Sequence, residues 1–225
     1  GSYQGKYLGA IGDVGTFSFD HGKVLTTGEG GMVVMNDEAL YLAARHFHDH
    51  GHEDNPAFPR GEDSRTRSGF NYRMMELQGA LGVVQLKKLD YALQRQRSAK
   101  AKITAALREW PVIRLREFPD PEGETGDTLV FFLENPETAR FVAIELRKQE
   151  VGFKNLPDAL NWHFAGTWEH IFPHISQYQG KSVAELWKKS DNILRSAIAI
   201  PIFVKMDDEK IAGLIDKITG VLRSL

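Results

Sequence analysis

Apolar positions along this chain alternate between two spacings, and each change of spacing marks an element. Residues 1–36 read as strands and tight turns: residues 16–20 are a β-branched and aromatic run between Gly15 and Gly22, and residues 32–35 are a second. Helical spacing begins after Asp37, a suitable cap, and Leu40, Ala44 and Phe47 share one face of a helix to about His48. From His50 to Arg67 the pattern lapses into a polar loop with two prolines and two glycines. A loop of that length in a compact protein is usually functional or disordered.

The helical period returns at Met74. Leu77, Leu81, Val84 and Leu89 form a stripe, and residues 94–109 continue as a second helix or a bent extension. Trp110–Pro111 ends it, because proline disfavours helix in the residue before it. Met74, Met75 and Leu77 are expected in a core. Strand character follows at 112–115 and 128–133, Pro136 opens a helix to about Gln149, and residues 151–154 form a further short strand. Beyond an aromatic- and histidine-rich connector come a helix over 183–195, a buried strand at 197–200 and a closing amphipathic helix over 207–222. Strand, strand, helix, strand, helix predicts a small α+β domain over 111–225. Residues 1–110 are expected to supply part of a larger α/β domain, with the boundary near Trp110.

Bulk properties narrow the classes. With 225 residues, 42% hydrophobic and 26% charged, the chain has the make-up of a soluble globular protein with one sizeable core or two small ones. The net charge of −2 offers no basic field for nucleic acid or an anionic membrane surface. No apolar run approaches a bilayer span, and no signal peptide opens the chain, so the cytoplasm is the expected compartment. Cysteine is absent, which excludes disulfides, thiolate metal sites and cysteine nucleophiles.

Candidate chemistry concentrates in GDVGTFSFDHGKVLTTGEGGMVVMN, residues 12–36. Lys23 lies just past a strand end, in a turn rich in glycine and hydroxyl residues. An amine on such a rigid base can reach into a cleft and form a Schiff base when neighbours depress its pKa; the alternative is a surface lysine in a hairpin. The string is similar to the FSF-x-x-x-K-x-x-TTGEGG segment of the DegT/DnrJ/EryC1/StrS family of sugar aminotransferases, where it carries the lysine that bonds pyridoxal 5′-phosphate. The resemblance implies the α/β fold of the fold-type I pyridoxal-phosphate transferases, with a partial large domain and a small C-terminal one. It implies Lys23 as the catalytic lysine and Ser18 as a donor to the cofactor phosphate, although a strand serine is otherwise a solvent-face residue. Thr26 and Thr27 can assist or simply close the turn.

A second block, GFNYRMMELQGALG at residues 69–82, resembles the family's G-x-NYRM-x-ELQ-A-x-x-G segment. There the matching asparagine crosses to the partner's cofactor phosphate, which implies a homodimer with shared active sites and Asn71 as a cofactor contact. Asn71 is equally suited to cap a helix. Tyr72 and Arg73 are candidates for substrate or donor-carboxylate contact. His46, His48, His50 and His52 are spaced by two, so metal binding has to be considered, but helical geometry would splay them; the family has a His-Gly pair at His50-Gly51, near its active site. Trp162 and His163, in the segment NWHF, can stack on and hydrogen-bond a sugar, or pack one domain on the other. The loop arginines Arg60, Arg65 and Arg67 can meet a carboxylate or diphosphate, and are otherwise solvated surface.

The expected activity is transfer of an amino group from L-glutamate to a keto or aldehyde sugar, for cell-surface polysaccharide synthesis. The EDSRTRSGFNYRMMELQG and NWHF strings are similar to the branch of the 8-amino-3,8-dideoxy-manno-octulosonate transaminases, whose acceptor carries no nucleotide. A nucleotide-linked keto sugar is the near alternative. A sugar dehydratase on the same scaffold carries histidine where Lys23 stands. Family members carry further cofactor-holding residues ahead of the point matched by Gly1, so the chain is expected to be part of a longer protein, or a non-catalytic scaffold.

Overall fold

The structure, a computed structural model, describes residues 1–59, 61–178 and 180–225, so Arg60 lies outside the described residues. The chain divides into two compact units: Gly1–Ala92 with Pro119–Glu124, and Leu93–Phe118 with Thr125–Leu225.

The first unit opens with a two-residue hairpin, β1 (Ser2–Tyr3) against β2 (Lys6–Tyr7), and continues with a longer one, β3 (Val14–Ser18) against β4 (Gly31–Met35). The β3–β4 ladder is antiparallel, from Val14 opposite Met35 to Ser18 opposite Gly31. Gly15 is obligatory here: a Cβ on it would lie 1.5 Å from the Gly9 carbonyl oxygen, so only a glycine lets the preceding turn press on the strand. Helix α1 (Glu38–His48) follows, and Asp37 Oδ1 accepts the Leu40 N–H at 2.8 Å, as the capping pattern predicts. Next comes α2 (Glu76–Leu86), whose apolar residues are not a core: Met75 and Leu77 are 62% and 78% exposed, and Met74 is exposed as well. The period revealed an apolar surface, but a period cannot say whether anything covers it.

Helix α3 (Leu89–Leu107) crosses from the first unit to the second. The division at Ala92 falls ahead of Trp110 because Ala99, Ile103 and Leu107 pack into the second unit's core. That core is built on an antiparallel sheet in the order β5 (Arg114–Leu115), β6 (Thr128–Phe132), β7 (Ala197–Pro201). Strand β5 is shorter than expected because Ile113 N–H turns back to the Trp110 carbonyl after Pro111. Leu129 and Phe131 alternate inward from β6, as half-buried strands do.

Two helices supply much of the rest of the core. Helix α4 (Pro136–Lys148), capped by Asn135, contributes Ala139, Val142, Ala143 and Leu146. The last helix of the chain, described below, adds Ile211, Ile218, Val221 and Leu222. Residues 151–154 do not form a regular strand: Glu150 turns at a φ of 62°, and only Lys154 N–H reaches β7, at Ala199. The connector then runs through α5 (Leu160–His163) and short 3₁₀ turns. The helix expected over 183–195 is two helices, α6 (Val183–Leu186) and α7 (Lys188–Arg195). Trp187 breaks the period, its ring packing 5.3 Å from Phe172 and 5.9 Å from Tyr178. Asp207 caps the closing helix, α8 (Asp208–Leu222).

One lysine is stored in this second unit at a cost. Burial pushes Lys100 down to about 8, and the neighbouring Arg116 guanidinium adds to the effect, while Asp127 opposes it. Its Nζ lies 4.5 Å from the centre of the Phe118 ring.

Two measurements check this description. Chemical denaturation of Phe131→Ala is expected to show a loss of about 3–5 kcal/mol, while Trp162→Ala, at a side chain 79% exposed, stays within about 0.5 kcal/mol. For Lys100 the unfolded chain binds the extra proton between its folded value of about 8 and the ordinary lysine value of 10.5. Stability attributable to this group therefore rises with pH through that window, by up to about 3 kcal/mol. Lys100→Met is expected to flatten that rise.

Candidate active site

Past Ser18 the hairpin narrows: Phe19 N–H donates to the Gly30 carbonyl at 2.9 Å, and Thr27 N–H to the Phe19 carbonyl at 3.0 Å. Between these bonds the chain makes a tight turn, with Lys23 N–H on the Asp20 carbonyl at 3.1 Å. Three side chains converge there. Asp20 Oδ1 accepts the Gly22 N–H at 2.6 Å. Asp20 Oδ2 accepts the Ser18 hydroxyl at 3.1 Å and lies 3.4 Å from Lys23 Nζ. A hydroxyl and an ammonium thus meet on one anionic oxygen. Led by the Gly22 N–H, these donors hold the Asp20 carboxyl below the usual carboxylate range.

The TTGEGG turn is braced from behind. Thr26 Oγ1 donates to the Phe19 carbonyl at 3.1 Å and Thr27 Oγ1 to the Glu29 carbonyl at 2.6 Å, so both hydroxyls close the turn. Gly30, at a φ of 144°, passes so close that a Cβ would lie 2.8 Å from Thr27 Oγ1. Gln78 Nε2 donates to the Glu29 carbonyl at 2.7 Å, which joins the GEGG and ELQ motifs, while its Oε1 accepts the Met75 N–H at 3.0 Å and closes the first turn of α2. Asn71 is therefore not the cap. Its Oδ1 accepts the Arg73 N–H at 3.3 Å and its backbone bridges to Asp49.

His50, Asn71, Tyr72 and Arg73 gather at the end of α1. His50 N–H donates to the Phe70 carbonyl at 3.0 Å with the residue at a φ of 56°. Tyr72 stacks at 5.7 Å from Phe70 and 6.1 Å from Phe47, and the Arg73 guanidinium is paired with the buried Asp49. The adjoining loop is closed by its own polar groups. Asp63, whose side chain is 4% exposed, accepts the N–H groups of Glu53 and Asp54 at 2.8 and 3.0 Å and lies 3.1 Å from His52 Nδ1. Glu53 in turn accepts the hydroxyls of Ser64 and Thr66, both at 2.7 Å. His48 Nδ1 faces the Arg45 carbonyl, while the His50 and His52 rings meet edge to face at 6.2 Å. Among the described residues no group of three or more His, Asp or Glu side chains is arranged to hold a metal ion. Arg65 and Arg67 are exposed.

Trp162 and His163 lie on α5 in the second unit, both exposed. The site residues of the first unit thus form two groups, Ser18 with Lys23 and His50 with Asn71–Arg73. Sequence reasoning missed Asp20, Asp49 and Gln78. Asp20 had a signal, an acid two residues after Ser18 and three before Lys23; Asp49 had none, because its partner is distant in sequence.

No helix among the described residues is long and apolar enough to cross a membrane. Over 95 residues the chain is 42% identical to GDP-perosamine synthase of Escherichia coli O157:H7, covering 42% of this chain and 25% of that one. Its fold matches Helicobacter pylori PseC, an aminotransferase involved in the biosynthesis of pseudoaminic acid, with a TM-score of 0.81 at 20% identity, over 100% of this chain and 57% of that one. It matches the PLP form of the putative sugar aminotransferase Spr1654 from Streptococcus pneumoniae with a TM-score of 0.77 at 20% identity, over 99% and 55%. The chain therefore spans little more than half the length of these solved relatives, and its architecture is that of the fold-type I enzymes. Residues 1–219 match the model of the DegT/DnrJ/EryC1/StrS aminotransferase family, and with the lysine hairpin and the NYRM–ELQ segment joined through Gln78, the chain belongs to that family.

Proposed function

We propose that this chain carries the lysine-bearing part of a pyridoxal-phosphate-dependent sugar aminotransferase, which moves the amino group of L-glutamate to a keto or aldehyde sugar. The observation that carries the reading is the meeting of Lys23 Nζ and Ser18 Oγ on one carboxylate oxygen. A donor set that holds a carboxylate in this way also suits a phosphate-bearing aldehyde, with Ser18 donating to the phosphate and Lys23 supplying the amine. Residues 1–110 would belong to the large cofactor-binding domain and 111–225 to the small one.

Pyridoxal phosphate, when bound, supplies the electron sink that makes a C–H bond beside the amino nitrogen acidic. The remaining work falls to this chain's side chains. Lys23 would hold the cofactor through Nζ. When free of the cofactor, the same amine is the base that would take the proton from the donor's Cα and, in the second half-reaction, deliver one to the sugar carbon that receives nitrogen. The overall exchange balances as L-glutamate plus keto sugar giving 2-oxoglutarate plus amino sugar. Asn71 would reach the phosphate held by a partner subunit, so the working unit is a homodimer with shared sites. His50, Tyr72 and Arg73 are proposed to face the substrate, with Trp162 and His163 offering a stacking face and an imidazole to the sugar.

For the acceptor, the relatives' names favour a nucleotide-linked keto sugar. The free octulosonate remains a second acceptor because of the NWHF segment, which presents Trp162 to solvent.

Borohydride reduction of the protein with pyridoxal phosphate, followed by peptide mapping, is expected to place the adduct on Lys23. Lys23→Ala should abolish the adduct and lower turnover by about 10²–10⁴-fold; turnover at the wild-type rate would refute the reading. Ser18→Ala should weaken cofactor binding by roughly 10- to 100-fold, the worth of a hydrogen bond to a charged group. Mixing Lys23→Ala with Asn71→Ala protomers should restore activity that neither has alone, because one site in each mixed dimer is intact.

A further inference from the structure

We propose that Asp20 is a positioning residue for the cofactor lysine: an internal anion that keeps the Lys23 ammonium and the Ser18 hydroxyl together in the apo chain, and that an incoming cofactor must displace. The inference rests on the reading of Lys23 given above.

Three features of the turn support it. First, the carboxylate is anchored independently of the lysine. Oδ1 is taken by the Gly22 N–H at 2.6 Å, and Asp20 N–H points to Ser18 Oγ at 3.4 Å. The acceptor therefore stays in place whether or not Lys23 swings away. Second, both proposed cofactor contacts converge on its other oxygen, at 3.1 Å for Ser18 and 3.4 Å for Lys23. Ser18 has a single O–H to give, so it cannot serve a phosphate without leaving that oxygen. Third, the lysine and aspartate side chains are 52% and 36% exposed, so an anion from solvent has access to the pair.

The chemistry gives the arrangement a purpose. A carboxylate this close restrains the flexible four-carbon lysine stem. Asp20 therefore keeps the amine aimed beside Ser18. Once a phosphate draws Ser18 away, the carboxylate loses one of its donors and its hold on the turn weakens. The same carboxylate then lies beside the freed lysine, ready to take back the ammonium formed when Nζ accepts a proton.

The test uses the apo chain first. Competitive acetylation at pH 8 with peptide mapping reads the reactivity of Lys23 against that of Lys6. Asp20→Asn preserves the acceptor for the Gly22 N–H and removes the charge. It is expected to raise Lys23 labelling roughly two- to fivefold, the worth of an exposed ion pair, with Lys6 unchanged. Asp20→Glu should restore slow labelling, and pyridoxal phosphate should enter Asp20→Asn faster than wild type. Equal Lys23 labelling in wild type and Asp20→Asn would overturn the proposal, whatever the cofactor does. Faster labelling in a protein that forms no adduct at Lys23 would uphold the Asp20 hold and overturn only the cofactor reading.

Discussion

The antiparallel register of β3 with β4 is the constraint on which the candidate site hangs. Because Ser18 faces Gly31 at the last regular pair, the next residues must turn at once, and the turn that results carries Asp20 and Lys23. Side chains in a strand alternate faces, so a slip of one residue would move Ser18 to the other face of the ribbon. Gly15 guards against such a slip by admitting the Gly9 carbonyl where no side chain fits. Gln78 fixes the returning arm from outside the hairpin, at Glu29. Two sequence motifs more than forty residues apart thus act as one structural unit.

Much of this was legible in the residues. Asp37 and Pro136 identify their helices, because a side-chain oxygen before an apolar period has one economical use and a proline fits the first turn. Strand β7 was legible as a short run of buried apolar residues, and Lys23 as a lysine in an improbable setting. The misses have a common physical origin. Met74, Met75 and Leu77 are apolar without being covered, and Trp187 breaks a helix because of rings at Phe172 and Tyr178 that no local period reveals. Asn71 was a fair cap in sequence, but the helix starts only at Glu76, with Met75 in the cap position.

The two units differ in how their apolar surface is used. The second has a closed core, in which the four leading residues of β7 are buried and α3, α4 and α8 each contribute to a common cluster. The first is held chiefly by hairpin ladders, glycine contacts and polar braces, and no residue of α1 or α2 is buried. Directional bonds set the geometry of the lysine turn, where non-directional packing would leave it imprecise. The proposed site lies in the unit whose shape depends on individual hydrogen bonds.

The loop between α1 and α2 follows the same logic. Asp63 gathers the N–H groups of Glu53 and Asp54, and Glu53 gathers Ser64 and Thr66, so the two arms are tied at their base. What lies between the arms is mechanically separate from what lies outside them. Substitutions, insertions or deletions at the tip can therefore accumulate without disturbing His50 or Arg73. The outer contour of this loop can be redrawn while the proposed substrate-facing residues below it stay fixed.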